Sequence, residues 1–365
     1  MIAIVVATPL QLFNSMIIMR HHYSNEKCDL VVLTFACEMQ EKVDNYKSFG
    51  IIRNTYFMRK APDYRTKLGK IWNLLFPNKE QKKVLKGLSG SNYKILLTTV
   101  VGETSSWLYT KMVKANPQIM LGFYEEGLGV YTSGIVTTLK TNKILYRLLG
   151  YKDYGAHLKM LYMYRPDICL NINNFLQRIP IGVVTEKDKS FLTTCFNNLS
   201  IKAYTCKAIY FDGHFSHYKA YKYFDENVLI DRLESIFKNG ELVIRAHPRS
   251  CTEQYKKKGY IVDENKMAWE EIVFSNYLPK DILYITVFSS VFYTAKFIFD
   301  IEPSILVLGK MIRNEYKREP WSANFWPESL QFLMNELKSI YRDSSKIMIP
   351  ESFEEMDKML TGYLS

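Results

Sequence analysis

The sequence lacks the short motifs that announce a metal or a nucleotide loop. It has no C-x-x-C, no D-x-D, no H-E-x-x-H, and no Walker or G-x-G-x-x-G loop. Zinc ribbons, dithiol redox centres, zincins, P-loop enzymes and dinucleotide-binding loops are thereby set aside. The glycines of "EEGLG" (125–129) are followed by Val-Tyr-Thr-Ser-Gly, the wrong spacing for a dinucleotide fingerprint. The six cysteines, Cys28, Cys37, Cys169, Cys195, Cys206 and Cys251, are scattered, several within apolar runs. They read as reduced, buried thiols of a cytosolic protein. The N-terminal "MIAIVVATPLQLF" has neither a basic n-region nor a long apolar h-region, so no signal peptide is expected. The longest membrane-like run, "ILYITVFSSVFYTAKFIF" (282–299), contains Ser289, Ser290 and Lys296. It reads as strand, turn and helix rather than as a span. A soluble, cytoplasmic protein is expected. Internal repeats and low-complexity tracts are also missing.

What is present is globular: 47% apolar and 23% charged residues, in 365 positions, enough for two domains. The net charge of +11 predicts attraction to phosphates, anionic sugars, nucleic acid or an anionic membrane face, without choosing among them. Short apolar runs alternate with helical patterns: "IAIVVA" (2–7), "LVVLTF" (30–35), "NTYFMR" (54–59), "KILLTTV" (94–100) and "IMLGFY" (119–124) as strands, with 9–22 and 105–116 as helices. A second series begins near residue 175, with strands at 206–212, 242–247, 282–288 and 304–309 and helices at 226–239, 267–276 and 290–299. This predicts two α/β domains, 1–175 and 176–365, each a parallel sheet covered by helices on both faces. Ligands of such sheets bind beyond the carboxyl ends of the strands, and that is where the polar motifs lie.

In "IRAHPRS" (244–250) a strand delivers Arg245, His247 and Arg249 to its end, and Pro248 stops the ladder. A histidine between arginines suits a phosphate; a loop histidine without a role is the plainer reading. In "TVFSSV" (286–291) Ser289 and Ser290 open a helix, where capping and anion binding are compatible. Glu270 and Glu271 of "MAWEEIVF" also open a helix, favoured there by the dipole, or accept hydrogen bonds from a ribose diol. "ATPLQ" (7–11), with Thr8, Pro9 and Gln11, starts a helix or touches a ligand. Finally "FYEEGLGVY" (123–131) ends a strand in Glu125, Glu126 and Gly127. Neighbouring strand residues face opposite ways, so only one of the acids can enter a crevice. Nothing else supplies hard ligands at metal spacing, and the chemistry reads as metal-independent, with no cofactor.

"ATPLQ", "YEEGLG", "RAHPRS", "WEE" and "FSS" occur in that order along most of the chain. Together they resemble the bacterial sialyltransferases, most closely glycosyltransferase family 52, which modify lipooligosaccharides and capsules. The resemblance implies a GT-B fold of two Rossmann-like domains facing a deep cleft. It places the acceptor on the N-terminal domain and the CMP-sialic acid donor on the C-terminal one, with the last helix packing back on the first. It implies that His247 contacts the leaving phosphate, that Ser289 and Ser290 hold it, and that Glu270 binds the ribose, with Glu271 as second choice. For the base it leaves two candidates, Glu126 of the Glu-Glu-Gly motif and Asp212 of "YFDGHFSH" (210–217). Inverting transfer needs a carboxylate for the acceptor's proton and preorganised donors for the departing phosphate. The resemblance also hints at a homodimer. CMP-Kdo or another nucleotide sugar is the alternative donor.

Two stretches, 59–88 and 138–165, are basic and carry Leu, Tyr and Trp; the first has nine Lys or Arg against two acids. A solvated basic helix face is the default. The functional alternative is peripheral contact with the inner face of the bacterial inner membrane, which suits a lipid-linked acceptor. Nucleic-acid binding explains the charge but not the placement of the strand-end motifs.

Overall fold

The computed structural model describes residues 1–34, 38–47, 50–59, 76, 78–89, 92–99, 103–132, 158–169, 177–196, 202–215, 221, 223–238, 240–247, 250–265, 267–275 and 277–365. The chain divides into two units, Met1–Asn198 and Leu199–Ser365.

The first unit runs β1 (Ile2–Val6), α1 (Pro9–His22), β2 (Cys28–Thr34), α2 (Glu38–Lys47), β3 (Ile52–Arg59), α3 (Lys79–Ser89), β4 (Ile95–Thr98), α4 (Glu103–Ala115), β5 (Met120–Tyr124), α5 (Gly129–Thr132), β6 (Leu158–Met163), β7 (Gln177–Pro180) and α6 (Glu186–Phe196). Its strands form one parallel sheet in the order β3-β2-β1-β4-β5-β6-β7. The order reverses between β1 and β4, the switch point at which doubly wound sheets open a crevice. All five residues of β1 are buried, as an interior parallel strand requires. Helix α1 starts where Thr8 accepts from the Gln11 N–H at 3.3 Å and Pro9 fills the first turn. It buries Leu12, Phe13, Met16 and Ile17 but also the polar Gln11 and Asn14, which have work at the end of β5.

The second unit continues with β8 (Ala208–Phe211), α7 (Glu226–Ile236), β9 (Leu242–Arg245), α8 (Thr252–Lys257), α9 (Trp269–Phe274), β10 (Leu283–Thr286), α10 (Val291–Phe299), β11 (Ser304–Val307), α11 (Gly309–Glu315), α12 (Glu328–Ile340), β12 (Ile347–Met348) and α13 (Phe353–Leu364). Its parallel sheet has the order β12-β11-β10-β8-β9, with a switch point between β8 and β10. Tyr210, Leu229, Ile230, Leu242, Ile285 and Leu306 form its core.

Both expected Rossmann-like parallel sheets are therefore present, and two expectations are corrected. The division falls at 198/199 rather than 175/176, because β7 pairs with β6 and α6 is tied to α1. Asp188 of α6 accepts from Arg20 Nε at 2.9 Å and lies 3.1 Å from His21 Nε2. The last helix, α13, puts Met356 and Leu360 into the core of the second unit. Residues 158–163, at the end of the second basic stretch, form the buried strand β6 and are not a solvated face. Of the basic stretches, 60–75, 77 and 138–157 lie outside the described residues. Helix α3 of the first does show the expected pattern, with Val84 and Leu88 inside and Lys79, Lys82, Lys83 and Lys86 exposed. Among the described residues no helix is long and apolar enough to cross a membrane.

Candidate functional site

In the first unit, β5 ends in the acid pair, and the pair splits as strand alternation demands. Glu125 turns inward and is 2% exposed. Its Oε2 accepts from Tyr131 Oη at 2.5 Å and from the Tyr164 N–H at 2.9 Å, while its own N–H reaches the Tyr162 carbonyl. Burial pushes its carboxyl up to about 7 against those two bonds. From the sequence either acid is a candidate to bind substrate; Glu125 is the one turned inward, an interior residue that holds the strand-end turn. Asn14 of α1 locks the same turn, donating to the Glu125 carbonyl at 2.9 Å and accepting from Tyr164 Oη at 2.9 Å.

Glu126 turns outward and is exposed. Gln11 holds it: Gln11 Oε1 accepts from the Ala7 N–H at 2.6 Å, so the amide nitrogen is the end that donates to Glu126 Oε2 at 2.6 Å. Thr99, just past β4, also bonds the carboxylate. Surrounding protein pushes the Glu126 carboxyl upward, and these two hydrogen bonds pull the other way. Glu126 therefore stands over the β1/β4 switch point, braced from both sides of it. Gly127 has φ +148°, a conformation side-chain-bearing residues rarely adopt, and nothing crowds its missing Cβ. Thr8 and Pro9 serve the start of α1.

In the second unit, the register aligns Phe211, Arg245 and Thr286 at the ends of β8, β9 and β10. The residues that follow are Asp212, His247 and the Ser289–Ser290 pair. Asp212 is buried, and its carboxylate gathers two loops: Oδ1 accepts from the His214 N–H at 2.6 Å and Oδ2 from the His247 N–H at 3.2 Å. The first bond is an Asx turn, an aspartate reaching the N–H two residues on. It holds His214 in the left-handed region at φ +52°. Gly213 between them lies against the Phe215 ring, which a Cβ would strike. The His214 and His247 rings stack, with centroids 5.3 Å apart and planes 10° from parallel. Nδ1 of His214 is 2.9 Å from Ser250 Oγ.

Ser289 and Ser290 sit half-exposed at the start of α10. The Ser290 side chain makes no capping bond, contrary to the capping expectation; instead Thr286 Oγ1 accepts the Ser289 N–H at 2.8 Å. Arg245 is corrected too. Its guanidinium is committed to Asp263, the Met267 carbonyl and Tyr204 Oη and packs 5.4 Å from Trp269, so it braces the fold around β9. Glu271 is buried and accepts from the Ala268 N–H at 2.8 Å, capping its own short helix. Glu270 is buried beside it. Pro248 and Arg249 lie outside the described residues.

No role read from the sequence falls on His214, Ser250, Tyr255, whose hydroxyl bonds Asp212, or Glu226, which accepts from the Gly213 N–H. Only His214 carried a local signal, the Asp-Gly-His spacing of an Asx turn; the others arrive from loops and helices distant in sequence. Among the described residues, no group of three or more His, Cys, Asp or Glu is placed to hold a metal ion.

No protein-family model matches the sequence, and no curated protein does. Among solved structures, the chain is similar to UDP-GlcNAc 2-epimerase of Methanocaldococcus jannaschii in complex with UDP-GlcNAc and UDP, at TM-score 0.51 and 11% identity, over 100% of this chain and 92% of that one. MurG of Acinetobacter baumannii (TM-score 0.46, 9% identity, 100% and 89% covered) follows at a lower score. So does UGT89C1 of Arabidopsis thaliana complexed with UDP-L-rhamnose (0.43, 10%, 99% and 98%). At such identities the likeness is one of fold, and the epimerase carries it. Together with the two Rossmann-like sheets, it makes this a GT-B-type fold.

Proposed function

We propose that the protein is an inverting, metal-independent sialyltransferase that moves sialic acid from CMP-sialic acid to a terminal galactoside of a lipooligosaccharide or capsular glycan. One observation carries the reading. At the β8/β10 switch point of the second unit, a buried carboxylate, Asp212, is hydrogen-bonded to the His-Pro histidine, His247, and the Ser-Ser pair follows the neighbouring strand. Acid, imidazole and hydroxyls at the ends of three adjacent strands match what inverting transfer from a nucleotide sugar requires. Asp212 takes the proton of the acceptor hydroxyl as it attacks. The bond from sialic acid to the phosphate breaks, and His247, Ser289 and Ser290 meet the charge gathering on the departing CMP. Glu270 is assigned to the ribose.

In the first unit, Glu126 is assigned to binding the acceptor glycan, since Gln11 and Thr99 hold its carboxylate exposed at that sheet's own switch point. Of the two base candidates we favour Asp212, because it shares a hydrogen bond with His247. A lipid-linked acceptor would be met through the exposed lysines of α3 and the exposed Phe76 at an anionic membrane face.

The test is a donor panel with a terminal galactoside as acceptor. Formation of a sialylated product with release of CMP from CMP-sialic acid, and none from CMP-Kdo or UDP-GlcNAc, is the expected result. Transfer from another nucleotide sugar alone, or epimerisation of UDP-GlcNAc, would overturn it.

A further inference from the structure

Beneath the Asp212 turn lies a second acid that no part of this scheme uses. Glu226 is the first residue of α7. Its Oε1 accepts from Tyr210 Oη at 2.6 Å and from the Gly213 N–H at 3.2 Å. The glutamate thus grips the strand just before Asp212 and the peptide just after it. The two carboxyl groups hold consecutive peptides of one turn, Glu226 accepting from the Gly213 N–H and Asp212 from the His214 N–H. Both Asp212 oxygens already accept backbone N–H groups. Two ionised carboxylates are acceptors only, so a hydrogen bond between such neighbours needs a proton on one of them. With Oε1 of Glu226 occupied as an acceptor, Oε2 is the atom that can carry it. The other titratable groups around the pair are Tyr210, Tyr255 of α8, whose hydroxyl also bonds Asp212, and, beyond Asp212, His214 and His247.

We propose that Glu226 is a positioning residue that stays neutral at physiological pH, holding the Asp212–Gly213–His214 turn through Oε1 and donating a hydrogen bond from Oε2 to the Asp212 carboxylate. Burial and the neighbouring Asp212 push the Glu226 carboxyl up to about 8, in the direction this arrangement needs. The proton turns what would be repulsion between two acids into a contact that fixes Asp212. Loss of that proton would place a second negative charge against it.

The consequence for transfer rests on the reading of Asp212 as base; the neutral state of Glu226 does not. Two measurements separate them. In the first, the midpoint of thermal unfolding is followed from about pH 6 to about pH 9 for wild type and Glu226→Gln. The folded protein holds a proton that the unfolded chain has lost above its ordinary carboxyl range. Wild type should therefore lose stability as pH rises to about 8, and the permanently neutral glutamine should lose less. Parallel profiles would overturn the proposal. In the second, transfer from CMP-sialic acid is measured for Glu226→Ala and Glu226→Gln. Alanine should lower kcat roughly tenfold or more with little change in the donor KM, and glutamine should restore most of it and weaken the alkaline fall. Glutamine no better than alanine, or alanine indistinguishable from wild type, would also overturn it. If wild type transfers nothing from CMP-sialic acid, the functional reading fails, and the unfolding profiles still decide the state of Glu226.

Discussion

The backbone N–H of His247 donates to the carboxylate of Asp212 at 3.2 Å, joining two loops that are 35 residues apart in the chain. The bond uses main chain on one side and side chain on the other. The imidazole and the carboxylate can therefore be altered separately.

Replacing Asp212 by Asn is expected to remove base function, lowering transfer by roughly a hundredfold to ten-thousandfold while a CMP-donor analogue still binds. Glu126→Gln should instead raise the acceptor KM more than it lowers kcat. If Glu126→Gln alone abolishes transfer and Asp212→Asn is near wild type, the base belongs to the first unit.

His247→Ala leaves the N–H that bonds Asp212 in place and deletes only the ring. Turnover at saturating donor is expected to fall roughly a hundredfold with no change in unfolding temperature beyond the loss of the His214 stacking. Near-normal turnover removes His247 from the leaving-group site.

Glu125 offers a pH test unconnected with catalysis. Its carboxyl is raised to about 7 by burial. In the unfolded chain it ionises near the ordinary carboxyl value, so the native state binds the extra proton between those limits. Stability should therefore fall as pH rises towards about 7, by about 3 kcal/mol at most from this group. Oε2 alone accepts both the Tyr131 and Tyr164 bonds, so the carbonyl oxygen of Glu125→Gln can take both. Denaturant unfolding from pH 5 to pH 8 should show this variant gaining on wild type as pH rises. A constant difference would mean Glu125 is ionised throughout.

The exposed face of α3 carries Lys79, Lys82, Lys83 and Lys86. If it meets an anionic bilayer, each lysine is worth about 1 kcal/mol, screened by salt. Changing all of them to glutamate should abolish flotation with phosphatidylglycerol vesicles at low salt without affecting transfer to a soluble galactoside. Equal flotation of both proteins would place membrane contact elsewhere or nowhere.

Transfer should also persist in excess EDTA, since the sequence has no D-x-D and no His/Cys cluster. Loss with chelator and recovery with manganese would require a metal step.

By itself the sequence determined the two parallel sheets and which residues end their strands. Buried parallel strands need continuous apolar runs, and runs such as "IAIVV" and "LYIT" can be read without any partner. Strand alternation likewise meant that only one of Glu125 and Glu126 could face outward, while which one was left to the turn at Gly127. β6 was not legible, because "LKMLYM" sits at the end of a stretch in which leucine and tyrosine are interleaved with lysine and arginine, a pattern that reads as a basic helix face. Only tertiary structure decided the fate of the polar residues. Arg245 and His247 end the same strand, yet Asp263 and the Met267 carbonyl claim the first, while the second meets Asp212. Glu226 follows Asp212 by fourteen residues, at the start of a helix the sequence does predict, and becomes its neighbour only because α7 returns across the end of β8. Burial and the choice of partner set what a side chain can do, and both depend on which distant segments pack against it.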